Sequence, residues 1–108
     1  MDILAYWRFD NYLRDLDTGA GFNFNSKQSR LHTEIHIGER LWLFTRIVNA
    51  GKSEYRLLAR LNVASKTINA PEYQYGPYRI WGDTQLSHYF KATNDTKEDV
   101  FELLRLLA

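Results

Sequence analysis

The sequence predicts an α+β domain: a small β-barrel of five or six strands with short helices and a C-terminal helix. Three observations predict it. The blocks at 38–46 (GERLWLFTR), 55–63 (YRLLARLNV) and 78–83 (YRIWGD) mix apolar, aromatic and arginine side chains in the manner of half-buried strands. The stretch 40–48 is apolar on both faces, Leu41, Leu43 and Ile47 on one and Trp42, Phe44 and Val48 on the other. A strand covered on both faces belongs in the middle of a barrel or under a helix. Near the end, Val100, Leu103, Leu104 and Leu107 recur at helical spacing.

In chain order, residues 3–9 alternate and are aromatic, which reads as a first strand. Residues 10–16 fit a short helix with Asp10 as N-cap and Tyr12, Leu13 and Leu16 inward. Residues 17–21 form a turn, since Gly19 and Gly21 permit positive φ. Residues 22–25 fit a short strand or an extended loop. A short helix capped by Ser26 or Ser29 carries Leu31 and Ile35. The strand at 40–48 then meets a hairpin loop at 49–53, with Gly51 supplying the turn. The strand at 55–63 alternates strictly, so Tyr55, Leu57, Ala59, Leu61 and Val63 share one face and Arg56 and Arg60 share the other. Residues 65–76 read as a long polar loop with Pro71, of the kind that often carries function. A strand at 78–81 and a short strand or helical turn at 87–90 follow. Thr96, three residues before Asp99, opens the last helix as a capping-box variant. The chain ends with that helix still apolar, which fits either a helix packed on the barrel or a domain cut from a longer protein.

The 108 residues make one domain, 1–108, large enough for a core without staples. There are no cysteines, which excludes disulfides, thiolate metal sites and a cysteine nucleophile and fits a reducing cytoplasm. No run of apolar residues approaches the roughly 20 needed to cross a bilayer, and the start lacks a signal-peptide pattern. Cytoplasmic localisation is expected.

The formal charge is +1, from 14 Lys and Arg against 13 Asp and Glu. A non-specific polyanion binder is usually strongly basic, so any nucleic-acid site must be local. Charge does cluster: Lys27, Arg30, Arg40, Arg46, Lys52, Arg56 and Arg60 stand against Glu34, Glu39 and Glu54 between 27 and 60. His32 and His36 are four apart, but no third ligand accompanies them and Glu34 does not complete a His-Glu-x-x-His motif. No metal site, cofactor or catalytic set is expected.

The pieces Ala5-Tyr6-Trp7, the run from Gly21 to Lys27 (GFNFNSK), the run from Ile37 to Phe44 (IGERLWLF) and residues 55–63 occur in an order that resembles the PUA superfamily. Within it, they are most similar to the EVE-like modified-base readers found fused to modification-dependent restriction endonucleases. The sequence departs from that pattern in being short and in lacking the Lys-Ser-Glu-Pro continuation after the first strand. The resemblance implies a small PUA/EVE-like barrel that binds DNA and carries out no chemistry. It implies recognition of a flipped, modified base such as 5-methylcytosine, as the specificity module of a restriction or defence system.

Such a pocket needs aromatic faces and a few hydrogen-bonding groups for the base edge. The candidate pocket is Trp7, Phe22, Phe24, Asn25, Ser26, Trp81 and Asp83, with the Asp83 carboxylate accepting from an exocyclic amine. Trp42, mid-strand, reads as core. Candidate phosphate contacts are Lys27, Arg30, Arg46, Arg56, Arg60, Lys66 and Arg79. Three rival expectations stand beside this one: a reader of RNA or modified RNA, an interaction domain that docks a protein partner through its C-terminal helix and, last, a small nuclease using its histidines and scattered carboxylates, which no spacing singles out. An effector nuclease domain or subunit is a further expected partner, and no membrane is.

Overall fold

The computed structural model describes residues 2–19, 21–90 and 96–107. It contains β1 (Asp2–Tyr6), α1 (Phe9–Thr18), β2 (Asn23–Ser26), α2 (Ser29–Glu34), β3 (Arg40–Asn49), β4 (Lys52–Ile68), β5 (Tyr78–Gly82), β6 (His88–Tyr89) and α3 (Lys97–Leu107). The described residues are therefore α+β, with a six-stranded mixed sheet and three helices among them, the last at 97–107. No helix among the described residues is long and apolar enough to cross a membrane.

The sheet runs β1-β3-β4-β5-β2, with β6 also on β4. Among the described residues the ladders are antiparallel except β1–β3, where Asp2 lies beside Arg40 and Tyr6 beside Phe44. Among the described residues no ladder joins β1 to β2, so the sheet is an open path and not a closed barrel. Its centre is the β3–β4 hairpin, turned by Ala50 and Gly51 at φ of 51° and 77°. Positive φ at both central residues is the turn whose twist suits a two-residue hairpin.

Strand β4 departs most from its expected form. It is 17 residues long and serves both halves of the sheet. Residues before Asn62 pair with β3 and those after it with β5. Two register shifts permit this: Leu43 and Phe44 face Ala59 and Leu57, leaving Leu58 extra, and Val63 and Ser65 face Gly82 and Trp81, leaving Ala64 extra. Each bulge inverts the alternation and bends the strand. Leu57 and Leu58 are consequently both buried. Arg56 stands opposite Thr45 and Arg60 opposite Trp42, on opposite faces of β3, so the two arginines do not share a face. Residues 65–68 extend the strand instead of opening the long loop, which shrinks to 69–77.

One core fills the concave side, where Leu41, Leu43, Leu58, Leu61, Val63 and Ile80 meet Trp7, Tyr12, Phe24 and Ile35. Fully burying an aliphatic side chain of this size contributes about 1.5–3 kcal/mol. Helix α1 buries Tyr12 and Asp15, one turn apart, while Leu13 and Leu16 face out, contrary to the expected inward stripe. The first strand stops at Tyr6 and Phe9 already begins α1, whose N-cap position is Arg8 with no side-chain cap; Asp10 lies in the first turn. The opposite face of the sheet carries an edge-to-face chain of rings, with centroid separations of 5.5 Å for Tyr6–Phe44, 5.8 Å for Phe44–Tyr55 and 5.8 Å for Tyr55–Phe101. Helix α3 packs there against β4 and β1. Val100 is fully buried, Leu103 and Leu104 partly, and Leu107 is exposed. The Thr96 carbonyl accepts the first helical hydrogen bond from Val100 N–H, and its hydroxyl accepts from Leu57 N–H at the β4 bulge.

Candidate functional site: a cleft between the two ends of the sheet

Because the sheet curves without closing, its terminal strands β1 and β2 border a common space. An open cleft of about 810 Å³ lies there. One wall is the run from Ile3 to Arg8, the other the run from Phe24 to Gln28, and α1, α2 and the 69–77 loop complete it through Arg14, Arg30 and Tyr75. Among the described residues four basic side chains line it, Arg8, Arg14, Lys27 and Arg30, against two acidic ones, Asp10 and Glu34. That excess of two positive charges is larger than the +1 of the whole chain. The local field therefore favours an anion.

The loop is seated by its glycine. Gly76 has φ of 112°, and a Cβ there would lie 2.2 Å from the Ser26 carbonyl oxygen. Its close approach presses the loop onto the end of β2 and brings Tyr75 to the cleft, where the Arg14 guanidinium lies 4.9 Å from its ring centroid. Arg8 pairs with Asp10 at 2.8 Å, and Arg30 with Glu34 at 3.1 Å, one helical turn on.

Behind the β2 wall is a buried polar network. Asn25 donates to Asp15 Oδ2 at 3.4 Å and to Asn23 Oδ1 at 3.1 Å. Its own Oδ1 accepts from Asn69 at 2.9 Å and from Arg79 Nε at 2.7 Å. Asn69 also donates to the Gly76 carbonyl at 3.0 Å, tying loop and wall together. Burial pushes the Asp15 carboxyl above its ordinary range, opposed by the Asn25 hydrogen bond and the nearby charges of Arg79 and Arg14. Burial likewise raises the phenols of Tyr12 and Tyr89. Tyr89 donates to the Gly21 carbonyl and accepts from Asn23 N–H, closing the network at the far end.

The expected base pocket is only partly assembled in one place. Trp7, Phe24, Asn25 and Ser26 all line the cleft. Trp7 and Phe24, however, are 2% and 6% exposed and pack edge-to-face, 5.5 Å between centroids. They form its floor, and neither offers an open stacking face. The Asn25 amide is engaged by four protein groups, so it stiffens the wall, and the Ser26 hydroxyl accepts from Gln28 N–H. Phe22 packs on Tyr89 instead. Asp83 Oδ1 accepts from Gln85 and Leu86 N–H, as a turn residue does. Trp81 lies on β5, outside the cleft, and donates to Thr67 Oγ1 at 2.9 Å.

The expected phosphate contacts are likewise divided. Lys27 and Arg30 line the cleft. Arg46 is exposed on the hairpin, and Arg56 is mostly buried against Glu54 at 2.7 Å. Arg60 lies over the Trp42 ring and donates to the Leu86 carbonyl. Lys66 donates to the carbonyls of His32 and Ile35, both at 2.8 Å, and so anchors the end of α2. Arg79 binds Asn25 as above. Sequence reasoning missed Arg8, Arg14 and Tyr75. Only the Tyr-Gln-Tyr run inside the 69–77 loop signalled the last of these.

No protein-family model, curated protein or solved structure matches this chain. The site must therefore be read from its own geometry. Among the described residues no three histidine or carboxylate groups stand together in a way that would hold a metal ion. What the cleft offers is shape, an apolar aromatic floor and a basic rim.

Proposed function

We propose that the cleft takes up a nucleobase extruded from DNA, with a modified cytosine as the preferred base, and that this binding is non-catalytic. The observation that carries the reading is the pairing of apolar and aromatic lining residues, Ile3, Ala5, Leu31 and Tyr75 among them, with a rim bearing Arg8, Arg14, Lys27 and Arg30. An extruded base is apolar over its faces and tethered to phosphates, and each half of the cleft suits one of those properties. The size also suits it, since small-molecule clefts span roughly 300–1,000 Å³. The curved sheet fits a PUA/EVE-like barrel left open along a seam, the cleft between β1 and β2. The EVE-like resemblance supports a role as specificity module for a restriction or defence nuclease.

The test is fluorescence anisotropy at low salt, with one DNA sequence prepared unmodified, with 5-methylcytosine and with 5-hydroxymethylcytosine. A preference of tenfold or more, about 1.4 kcal/mol, is the expected result, with Arg14→Ala and Lys27→Ala weakening all three DNAs alike. Equal affinity for all three would defeat the modified-base reading, and tighter binding of matched RNA would replace DNA with RNA. A second reading, docking of a protein partner on α3, is favoured by the exposure of Phe101 and Leu106 at 41% and 60%. It would be supported by self-association or partner capture that Leu106→Glu abolishes.

A further inference from the structure

Next to the cleft, on the 69–77 loop and β5, is a second aromatic and cationic feature. The Arg79 guanidinium lies 5.2 Å from the Tyr73 ring centroid and 5.0 Å from that of Trp81. It is thus held between two rings, and its Nε is fixed on Asn25 Oδ1 at 2.7 Å. Tyr73 meets Tyr75 edge-to-face at 5.5 Å, and Tyr75 carries Arg14. The order across the surface is therefore Trp81, Arg79, Tyr73, Tyr75, Arg14, ending at the cleft rim. Tyr73, Arg79 and Trp81 are all partly exposed.

No part of this row is needed to close the core, whose β5 member is Ile80 on the other face of the strand. A guanidinium over a ring covers one face of it and leaves the other. Rings and guanidinium planes in series are the surface on which unpaired bases stack, one after another, with the cation near the phosphates between them. A base inside a duplex presents no such face, because its neighbours already cover it.

We propose that this row is a stacking platform for nucleotides adjacent to the one in the cleft, and that the ligand is single-stranded or locally opened DNA instead of intact duplex. The inference rests on the nucleic-acid reading of the cleft. It adds that Tyr73, Arg79 and Trp81 contribute affinity that depends on strand length, while the cleft sets the preference for the base. Asn25 joins the two parts, since it stands in the cleft wall and holds the platform's arginine.

The test compares single strands of increasing length, from one modified nucleotide to about eight, with the matched modified duplex. Wild-type protein should bind the single strand more tightly than the duplex. Affinity should rise as nucleotides are added beside the modified base. Tyr73→Ala and Trp81→Ala should each weaken the longer strands about tenfold and leave both the mononucleotide affinity and the modified-to-unmodified ratio unchanged. Trp81→Phe, which keeps a ring, should restore most of the loss, and thermal melts should show each variant folded. Unchanged long-strand affinity in both alanine variants, with the modification preference intact, would overturn the platform and leave the cleft reading standing. Loss of the preference together with the affinity would also overturn it, since the row would then be a support for the cleft. Absence of binding to any strand or duplex would overturn the cleft reading, and the platform with it.

Discussion

Replacing Gly76 with alanine puts a methyl group where backbone already stands. The new Cβ would lie 2.2 Å from the Ser26 carbonyl oxygen, 2.3 Å from its carbon and 2.6 Å from Lys27 N. None of these atoms is at the end of a flexible side chain, so the loop or β2 must shift. The residue is also held at φ of 112°, which an L side chain resists. Gly51→Ala is the internal reference. Gly51 has φ of 77° and nothing within 4 Å of the added carbon, so only backbone strain is felt. That strain is about 1–2 kcal/mol. Gly76→Ala adds a steric conflict to a comparable strain, for a total of roughly 3 kcal/mol or more. A domain of this size loses roughly 4–8 °C of Tm per kcal/mol. Thermal melts followed by circular dichroism should place Gly51→Ala about 4–16 °C below wild type and Gly76→Ala at least about 12 °C below it, always the lower of the two. If the two variants melt within about 3 °C of each other, the loop is not seated on β2 through Gly76, and the construction of the cleft wall given above fails.

Trp7→Ala should cost about 3–5 kcal/mol, because the ring is buried between Tyr12 and Phe24 at 5.2 and 5.5 Å; chemical denaturation at equilibrium measures it, and a loss under about 1 kcal/mol would refute its place in the core. Lys66→Met should lower stability by about 1–2 kcal/mol and leave the salt dependence of the proposed DNA binding unchanged, since its ammonium is spent on the α2 carbonyls; a reduced salt slope would make it a phosphate contact after all. For Asp15, a pKa raised in the native state means that the folded protein holds a proton the unfolded chain has released. Its effect is therefore a loss of stability as pH rises from the ordinary value of 3.8 through the raised value, and a constant penalty above that. Asp15→Asn should flatten the stability profile in that window, and a profile unchanged by the substitution would show that Asp15 titrates as it does in the unfolded chain.

The helix of Val100 and Leu103 and the hairpin of β3 and β4 were legible because each is local and periodic. The cleft was not, for reasons visible in particular residues. Leu58 and Ala64 each insert one residue into β4, and no alternation rule marks where a bulge will fall. Parity counting consequently put Arg56 beside Arg60, where the fold separates them. Arg8, Arg14, Lys27, Arg30 and Tyr75 meet only because the sheet curves until its ends face each other. The parallel pairing of β1 with β3 that creates one of those ends leaves no short-range signal. Trp7 and Trp81 look alike in sequence, yet one lies under the cleft and the other lies outside it.

The same parallel pairing sets an order of assembly. Asn49 and Lys52 pair across a two-residue turn, whereas Asp2 must wait for Arg40. Closing the short loop comes first on entropic grounds. During synthesis β1 leaves the ribosome before its partner β3 and waits for it until β3 and β4 have formed their hairpin. In that interval the outer edge of β3 is open, and a β1 from a neighbouring chain fits it as well as the chain's own. The strand that makes one wall of the cleft is thus also a strand that two molecules could exchange. A dimer formed by that exchange would carry two complete clefts, each built from two chains.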